Sequence, residues 1–199
     1  MSGIRIQHGL PPELTEAAAR LYWLAFAGKL GAVMGPEPLA LRFIARVVQH
    51  DHAVVALTAE GRLAGVGGFR SAKGAFVGGG LADLRAVYGW WGGLWRQLCL
   101  RLLNHDIEPR ALVVDGLVVD TDWRGQGIGA ALLAALAEAA RRRGHAELRL
   151  DVVEENLRAR ALYAREGFAI RGRQYPQHAR RLVRWLYAYN AVVIMARPV

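Results

Sequence analysis

Between Leu117 and Ala130 an apolar run, Leu117-Val118-Val119, passes through Asp120-Thr121-Asp122-Trp123 into Arg124-Gly125-Gln126-Gly127-Ile128-Gly129-Ala130. An alanine- and leucine-rich stretch then continues to Arg143. This segment constrains the fold more than any other, because it reads as strand, tight turn and helix in direct succession. Glycine has no Cβ, so a glycine turn lets backbone amides come close to a ligand. The first N–H groups of a helix lack intrahelical partners and carry roughly half a positive charge from the helix dipole. The combination makes an anion site, most often for phosphate, and Arg124 adds charge at its rim. One glycine would be explained by a cramped connection alone. Three alternating glycines after a strand favour a ligand.

The rest of the chain supplies elements to surround that unit. Ile4 to Gln7 alternates as a first strand, and Pro11-Pro12-Glu13 opens a helix running through Leu21, Leu24 and Phe26. Gly35-Pro36 ends that region, and Leu39 to Val48 reads as a second helix. Ala53–Thr58 and Leu63–Phe69 are β-rich runs joined by a hairpin signal. A Trp-rich helix is expected over about residues 82–104. Ala111–Val119 is a strand, Ile128–Arg143 a helix, Glu147–Val153 a strand and Leu157–Glu166 a helix. Strands follow from Phe168 and over Ala191–Ala196. With no repeat or linker, residues 1–199 read as one domain of the α/β class.

Composition narrows the function classes. The chain has 199 residues, 53% of them hydrophobic, which provides a core and excludes a disordered protein. The single Cys99 excludes a disulfide framework and a thiolate metal cluster, and no histidine has metal-ligand spacing, so no metal is expected. The net charge is +9, and all the basic residues except Lys29 and Lys73 are arginine. Arginine's planar fork suits phosphate and carboxylate. Arg171, Arg173, Arg180, Arg181 and Arg184 cluster, but no nucleic-acid motif accompanies them, so no nucleic acid is expected. Met1 to Leu10 holds no apolar h-region, so no secretory signal is expected. Arg96 and Arg101 interrupt the apolar stretch from Ala86 to Leu103, so no membrane span is expected. Packing on its own domain or on a second copy in a homodimer suits that helix better, and the expected location is cytoplasmic.

Two nucleotide-type ligands suit the glycine turn. Gly125-Gln126-Gly127-Ile128-Gly129-Ala130 satisfies the loose form of a dinucleotide fingerprint, and Asp151 stands about 20 residues on, where a ribose-binding acid belongs. That motif normally opens its domain, whereas here 110 residues precede the strand. A Walker loop is excluded, since no Gly-Lys-Ser or Gly-Lys-Thr occurs. The alternative carries a second match. Arg124, Gly127 and Gly129 fill the Gln/Arg-x-x-Gly-x-Gly/Ala loop of the GNAT superfamily of N-acyltransferases. Leu150-Asp151-Val152, then Asn156-Leu157-Arg158-Ala159-Arg160-Ala161-Leu162-Tyr163 and Gly167-Phe168, resemble the segment that follows it in that family. The resemblance covers about residues 111–171. The Trp-rich helix lies outside the common core and reads as an insertion.

The resemblance implies a mixed, mostly antiparallel sheet flanked by helices, with a parallel pair at a coenzyme A cleft. It implies acetyl-CoA as co-substrate and a primary amine of a small molecule or peptide as acceptor. Backbone groups of Leu117, Val118 and Val119 would bond the pantetheine arm, and amides from Gly125, Gln126, Gly127, Ile128, Gly129 and Ala130 the pyrophosphate, with Arg124 beside them. Asn156 would contact the cofactor chain near the thioester, and Arg160 or Arg158 a phosphate. Tyr163, a phenol of ordinary pKa about 10, would protonate the departing thiolate. Asp115 interrupts an apolar strand, where a carboxylate must be paired or used. Strict alternation puts it on one face with Val113, Leu117 and Val119. It would serve as base or hold the amine, with Glu154 and Glu155 as rivals; the alternative is a structural carboxylate paired with an arginine or with backbone N–H groups. Tyr22, Trp23, Trp90, Trp91 and Trp95 suit an aromatic or amphipathic acceptor, or else a core or dimer interface. Two other functions remain open at this level: a non-catalytic CoA-binding sensor, and an NAD(P)-binding protein.

Overall fold

The computed structural model describes residues 3–101, 110–174 and 191–199. Its strands are β1 (Arg5–His8), β2 (Ala53–Leu57), β3 (Leu63–Ser71), β4 (Gly74–Ala75), β5 (Ala111–Val119), β6 (Glu147–Val153), β7 (Ala169–Gln174) and β8 (Val192–Pro198). The helices are α1 (Thr15–Met34), α2 (Glu37–Val47), α3 (Leu81–Arg101), α4 (Ile128–Arg142) and α5 (Leu157–Arg165). The prolines do not open α1 directly. Pro12–Leu14 makes a separate 3-10 turn and α1 starts at Thr15.

The strands form one sheet in the order β1-β2-β3-β5-β6-β8-β7, with β4 paired to β3 beside that path. Every pairing is antiparallel except β5 with β6, which is the expected parallel pair. A doubly wound dinucleotide-binding sheet is mostly parallel, so this architecture overturns the dinucleotide fold considered for the glycine turn. Helices cover both faces. On one, Tyr22 and Trp23 of α1 and Phe43 and Ile44 of α2 pack against Val55, Val66 and Val118. On the other, Leu132, Leu133 and Leu136 of α4, with Tyr163 of α5, pack against Leu112, Val114, Leu148 and Leu150. The stripe Ile128, Leu132, Leu136 recurs every fourth residue and is at most 1% exposed. Burial of each such side chain stabilises by about 1.5–3 kcal/mol, which fixes the start of α4 just past the end of the central strand β5.

The Trp-rich helix is present, but it is not continuous. Gly89 has φ 74° and ψ 175°, which no helix tolerates, so two helical pieces meet there. A Cβ at Gly93 would lie 2.7 Å from the Arg85 amide nitrogen, so the second piece folds back onto the first. Trp90, Trp91 and Leu98 remain mostly exposed. The stretch expected to extend this helix to 104 lies outside the described residues, as do Arg180, Arg181 and Arg184. Among the described residues no helix is long and apolar enough to cross a membrane.

Candidate active site

The parallel pair does not run the length of its strands. Ala111–Val114 of β5 face Glu147–Leu150 of β6, and no pairing continues beyond Val114 and Leu150. Past that point β5 stays bonded to β3 through Gly116–Val119, and β6 stays bonded to β8 through Asp151–Val153. Each strand therefore turns one backbone edge toward a gap in the middle of the sheet.

Above the gap, on the α4 face, lies the glycine turn. Asp120 starts it, its carboxylate accepting from the Asp122 N–H at 3.1 Å. Arg124 Nε donates to the Val119 carbonyl at 3.1 Å, which ties the turn back to β5. Gly125 and Gly127 both have φ 79°, a left-handed conformation in which a side chain is strained. Gly127 caps α4 with no side-chain hydrogen bond. The first helical bond to its carbonyl comes from Ala131 at 3.1 Å, so the amides of Ile128, Gly129 and Ala130 precede the ladder. No heavy atom lies within 4 Å of where a Cβ would stand on Gly125 or Gly127. The turn thus presents an open, uncapped helix N-terminus.

Helix α5 closes the same face. A Cβ on Gly129 would lie 3.2 Å from Leu162 Cδ2, which puts the residue before Tyr163 against the start of α4. The Asn156 side chain accepts from the Ala159 N–H at 3.1 Å, so its oxygen serves as the N-cap of α5. Arg160 Nη1 donates to the Glu154 carbonyl at 3.1 Å. Tyr163 is 9% exposed and packs on Phe168 with ring centroids 5.9 Å apart. Burial pushes its phenol up to about 12, so the group stays protonated at any working pH.

Below the gap, on the α1 face, a cavity of about 910 Å³ opens. Its walls include Tyr22, Trp23, Phe26 and Phe43, and its floor carries Asp115 of β5 and Asp151 of β6, one from each side of the gap. Asp115 shares this face with Val113, and a β-bulge sits there: Gly68 pairs Gly116 and Phe69 pairs Val114, leaving Asp115 as the extra residue. The bulge corrects the expected alternation. Asp115 lines the cavity with Val113, while Leu117 and Val119 turn to the α4 side. The chain is tight next to it: a Cβ on Gly116 would lie 3.0 Å from Tyr22 Cε2 and 3.1 Å from Phe26 Cε2, so those rings would have to give way by a few tenths of an ångström.

Both floor carboxylates are paired. Arg70 Nη2 donates to Asp115 Oδ1 at 2.8 Å, and the Val77 N–H donates to Oδ2 at 3.3 Å. Arg149 Nε donates to Asp151 Oδ1 at 3.3 Å. Tyr22 is pushed far above the usual phenol range, first by burial and then by the Asp115 charge, so its hydroxyl remains neutral. Of the rival acids, Glu154 pairs with Arg173 at 3.5 Å, and neither it nor Glu155 lines the cavity. Trp90, Trp91 and Trp95 are on α3 and do not line it either. Arg70 was not legible in the sequence, because nothing local marks an arginine that will meet a carboxylate in a neighbouring strand; Arg149 and Asp151 stand two residues apart on β6, where alternation puts both on one face.

An open helix N-terminus and an aromatic cavity thus lie on either side of a parted parallel pair. Residues 16–168 match the acetyltransferase (GNAT) family. The chain belongs to that family. Solved acetyltransferases share its fold. One crystal structure of an acetyltransferase has a TM-score of 0.65 at 21% identity, covering 98% of this chain and 99% of its own. The N-acetyltransferase from Staphylococcus aureus Mu50 has a TM-score of 0.68 at 18% identity, covering 97% and 100%. The ribosomal-protein-S18-alanine N-acetyltransferase from Escherichia coli has 0.57 at 19%, covering 98% and 94%. No curated protein matches the chain significantly by sequence.

Proposed function

We propose that this GNAT acetyltransferase is an N-acetyltransferase that moves an acetyl group from acetyl-CoA to the primary amine of a small acceptor. One observation carries the reading: an uncapped helix N-terminus opens on one side of the β5–β6 gap, and an aromatic cavity opens on the other. A long, narrow acyl donor with a pyrophosphate at one end and a thioester at the other fits that arrangement. The amides of Gly125, Gln126, Gly127, Ile128, Gly129 and Ala130 hold the pyrophosphate, with Arg124 beside them. The free edge of Leu117, Val118 and Val119 bonds the pantetheine amides as an added strand would. Asn156 offers its amide nitrogen to the same arm, and Arg160 stands near the outer phosphates.

The reaction then takes place at the gap. The amine must be neutral to attack the thioester carbonyl, and the sulfur must receive a proton as it leaves. Tyr163 supplies that proton from the α4 face. Asp115 holds the incoming amine from the cavity side, since its Oδ2 has only one long bond and a carboxylate has about four acceptor sites. A sensor without turnover would not need a protonated phenol and a cavity carboxylate on opposite sides of one gap.

Acetyl-CoA is expected to raise the melting temperature, by several degrees at concentrations near 100 times Kd, since about 2.7 kcal/mol of native-state binding is then added. NAD, NADP and ATP are expected to leave it unchanged in the same scanning-calorimetry series. Stabilisation by NAD and not by acetyl-CoA would overturn the reading.

A second test concerns Asp115→Asn, which is nearly isosteric and removes the charge that Arg70 faces. Activity is expected to fall most at low pH and to recover partly as pH rises, because free amine then becomes abundant without help. A lowered melting temperature with an unchanged pH profile would make Asp115 purely structural.

A further inference from the structure

The floor of the cavity carries two opposite charges side by side, and their spacing is that of a particular class of molecule. Arg70 Nη2 and Asp115 Oδ1 are 2.8 Å apart, and both residues line the cavity. In a free α-amino acid, one carbon bears both the ammonium and the carboxylate, so the two charged groups are also direct neighbours. We propose that the acceptor is a free α-amino acid with a large apolar or aromatic side chain, bound with its amine on Asp115 and its carboxylate on Arg70. This inference rests on the N-acetyltransferase reading of the same site.

Three observations support it. First, a guanidinium has five N–H donors in a planar fork suited to a carboxylate. Arg70 spends one on Asp115, and its others bond to no described residue. Its side chain is 30% exposed while that of Asp115 is 9%, so it is the arginine that reaches into the open space. Second, the charges lining the cavity balance: Arg70 and Arg149 against Asp115 and Asp151, each acid paired. A site for a polycation needs unpaired carboxylates, and a neutral floor suits a zwitterion. Third, the walls above the charges are aromatic and aliphatic, with Tyr22, Trp23, Phe26, Leu30, Met34 and Phe43 among them. They would enclose an apolar side chain. A peptide N-terminus has an amide where a free amino acid has its carboxylate, so it would leave Arg70 unanswered.

The atoms balance for such an acceptor. The ammonium loses one proton to solvent, and the neutral nitrogen forms the C–N bond as the C–S bond breaks. The nitrogen's remaining surplus proton leaves to water, and Tyr163 gives its proton to the sulfur and regains one from solvent. The carboxylate takes no part, so Arg70 is a specificity residue.

The experiment separates binding from turnover. Isothermal titration of the full chain, with free CoA present, compares L-phenylalanine, L-tryptophan, L-leucine and L-methionine with their amides and their decarboxylated amines. At least one free amino acid is expected to bind ten- to hundredfold more tightly than both its derivatives. In Arg70→Gln that preference is expected to shrink to less than threefold, and Arg70→Lys, which keeps the charge opposite Asp115, to retain part of it. Circular dichroism identifies any variant that fails to fold, and the wild-type comparison stands without either. If no amino acid is preferred over its amide and amine, the proposal is overturned. Thiol release from acetyl-CoA is followed with the same panel. Selective binding with no thiol release supports the zwitterion site and sinks the N-acetyltransferase reading. Release with the amines or amides at rates equal to the amino acids keeps that reading and overturns the proposal.

Discussion

Gly127→Glu is expected to abolish acetyl-CoA binding while the protein still folds. Residue 127 has φ 79°, so any side chain other than glycine there carries strain of about 1–3 kcal/mol. That is tolerable in a domain of ordinary stability, and no atom lies within 4 Å of the new Cβ to clash with it. The carboxylate, however, would stand in front of the α4 amides, where the pyrophosphate belongs. It would occupy the donors itself and repel the ligand. A rise in Kd of at least about 100-fold is expected by calorimetry, equivalent to about 2.7 kcal/mol. Gly127→Asn should keep most of the affinity, since asparagine tolerates the left-handed region and adds no charge. Wild-type affinity in the glutamate variant would mean the phosphates bind elsewhere.

The second large effect belongs to Tyr163→Phe. The hydroxyl bonds to no described residue, so its removal should change stability by no more than about 1 kcal/mol and leave the KM for acetyl-CoA nearly unchanged. The catalytic constant should fall by about 10²- to 10⁴-fold, the usual worth of a positioned acid. A phenol raised to about 12 is a weak acid in water, yet the same burial that raises it also disfavours the thiolate it serves. The two groups shift in the same direction, so the proton still has a driving force to move as charge builds on sulfur. Because the phenol stays protonated below about pH 12, it should contribute no alkaline loss of rate in the wild type. Undiminished turnover in the phenylalanine variant, measured with a strongly nucleophilic acceptor such as a hydrazine, would show that the thiolate leaves unaided.

The strand, turn and helix from Ala111 to Arg142 were legible because their signals are local. β-Branched residues, alternating glycines and a four-residue apolar stripe each act within one or two turns of chain. Asn156 was legible for the same reason, although its first task turns out to be capping α5. Asp115 was legible as an oddity on the face of Val113, but the faces of Leu117 and Val119 beyond it were not. A bulge adds a residue to one strand without a sequence mark, and from that point alternation predicts the wrong face. Its partner Arg70 is 45 residues away, and only the pairing of β3 with β5 brings them together. The break at Gly89 was hidden by surroundings that read as helix on both sides. In the sheet, what escaped depends on how separate strands are laid against one another.

The parted sheet also has a mechanical consequence. β5 and β6 are joined only by the register from Ala111–Glu147 to Val114–Leu150, while β6 and β8 are matched over the whole length of β6. The sheet is therefore two stiff plates sharing a short weld. β1 belongs to one plate and β8 to the other, so tension between these two strands falls on that weld. A molecule lying along the gap and bonded to both edges would act as a rivet, spreading the load over the part of the seam that the backbone leaves open.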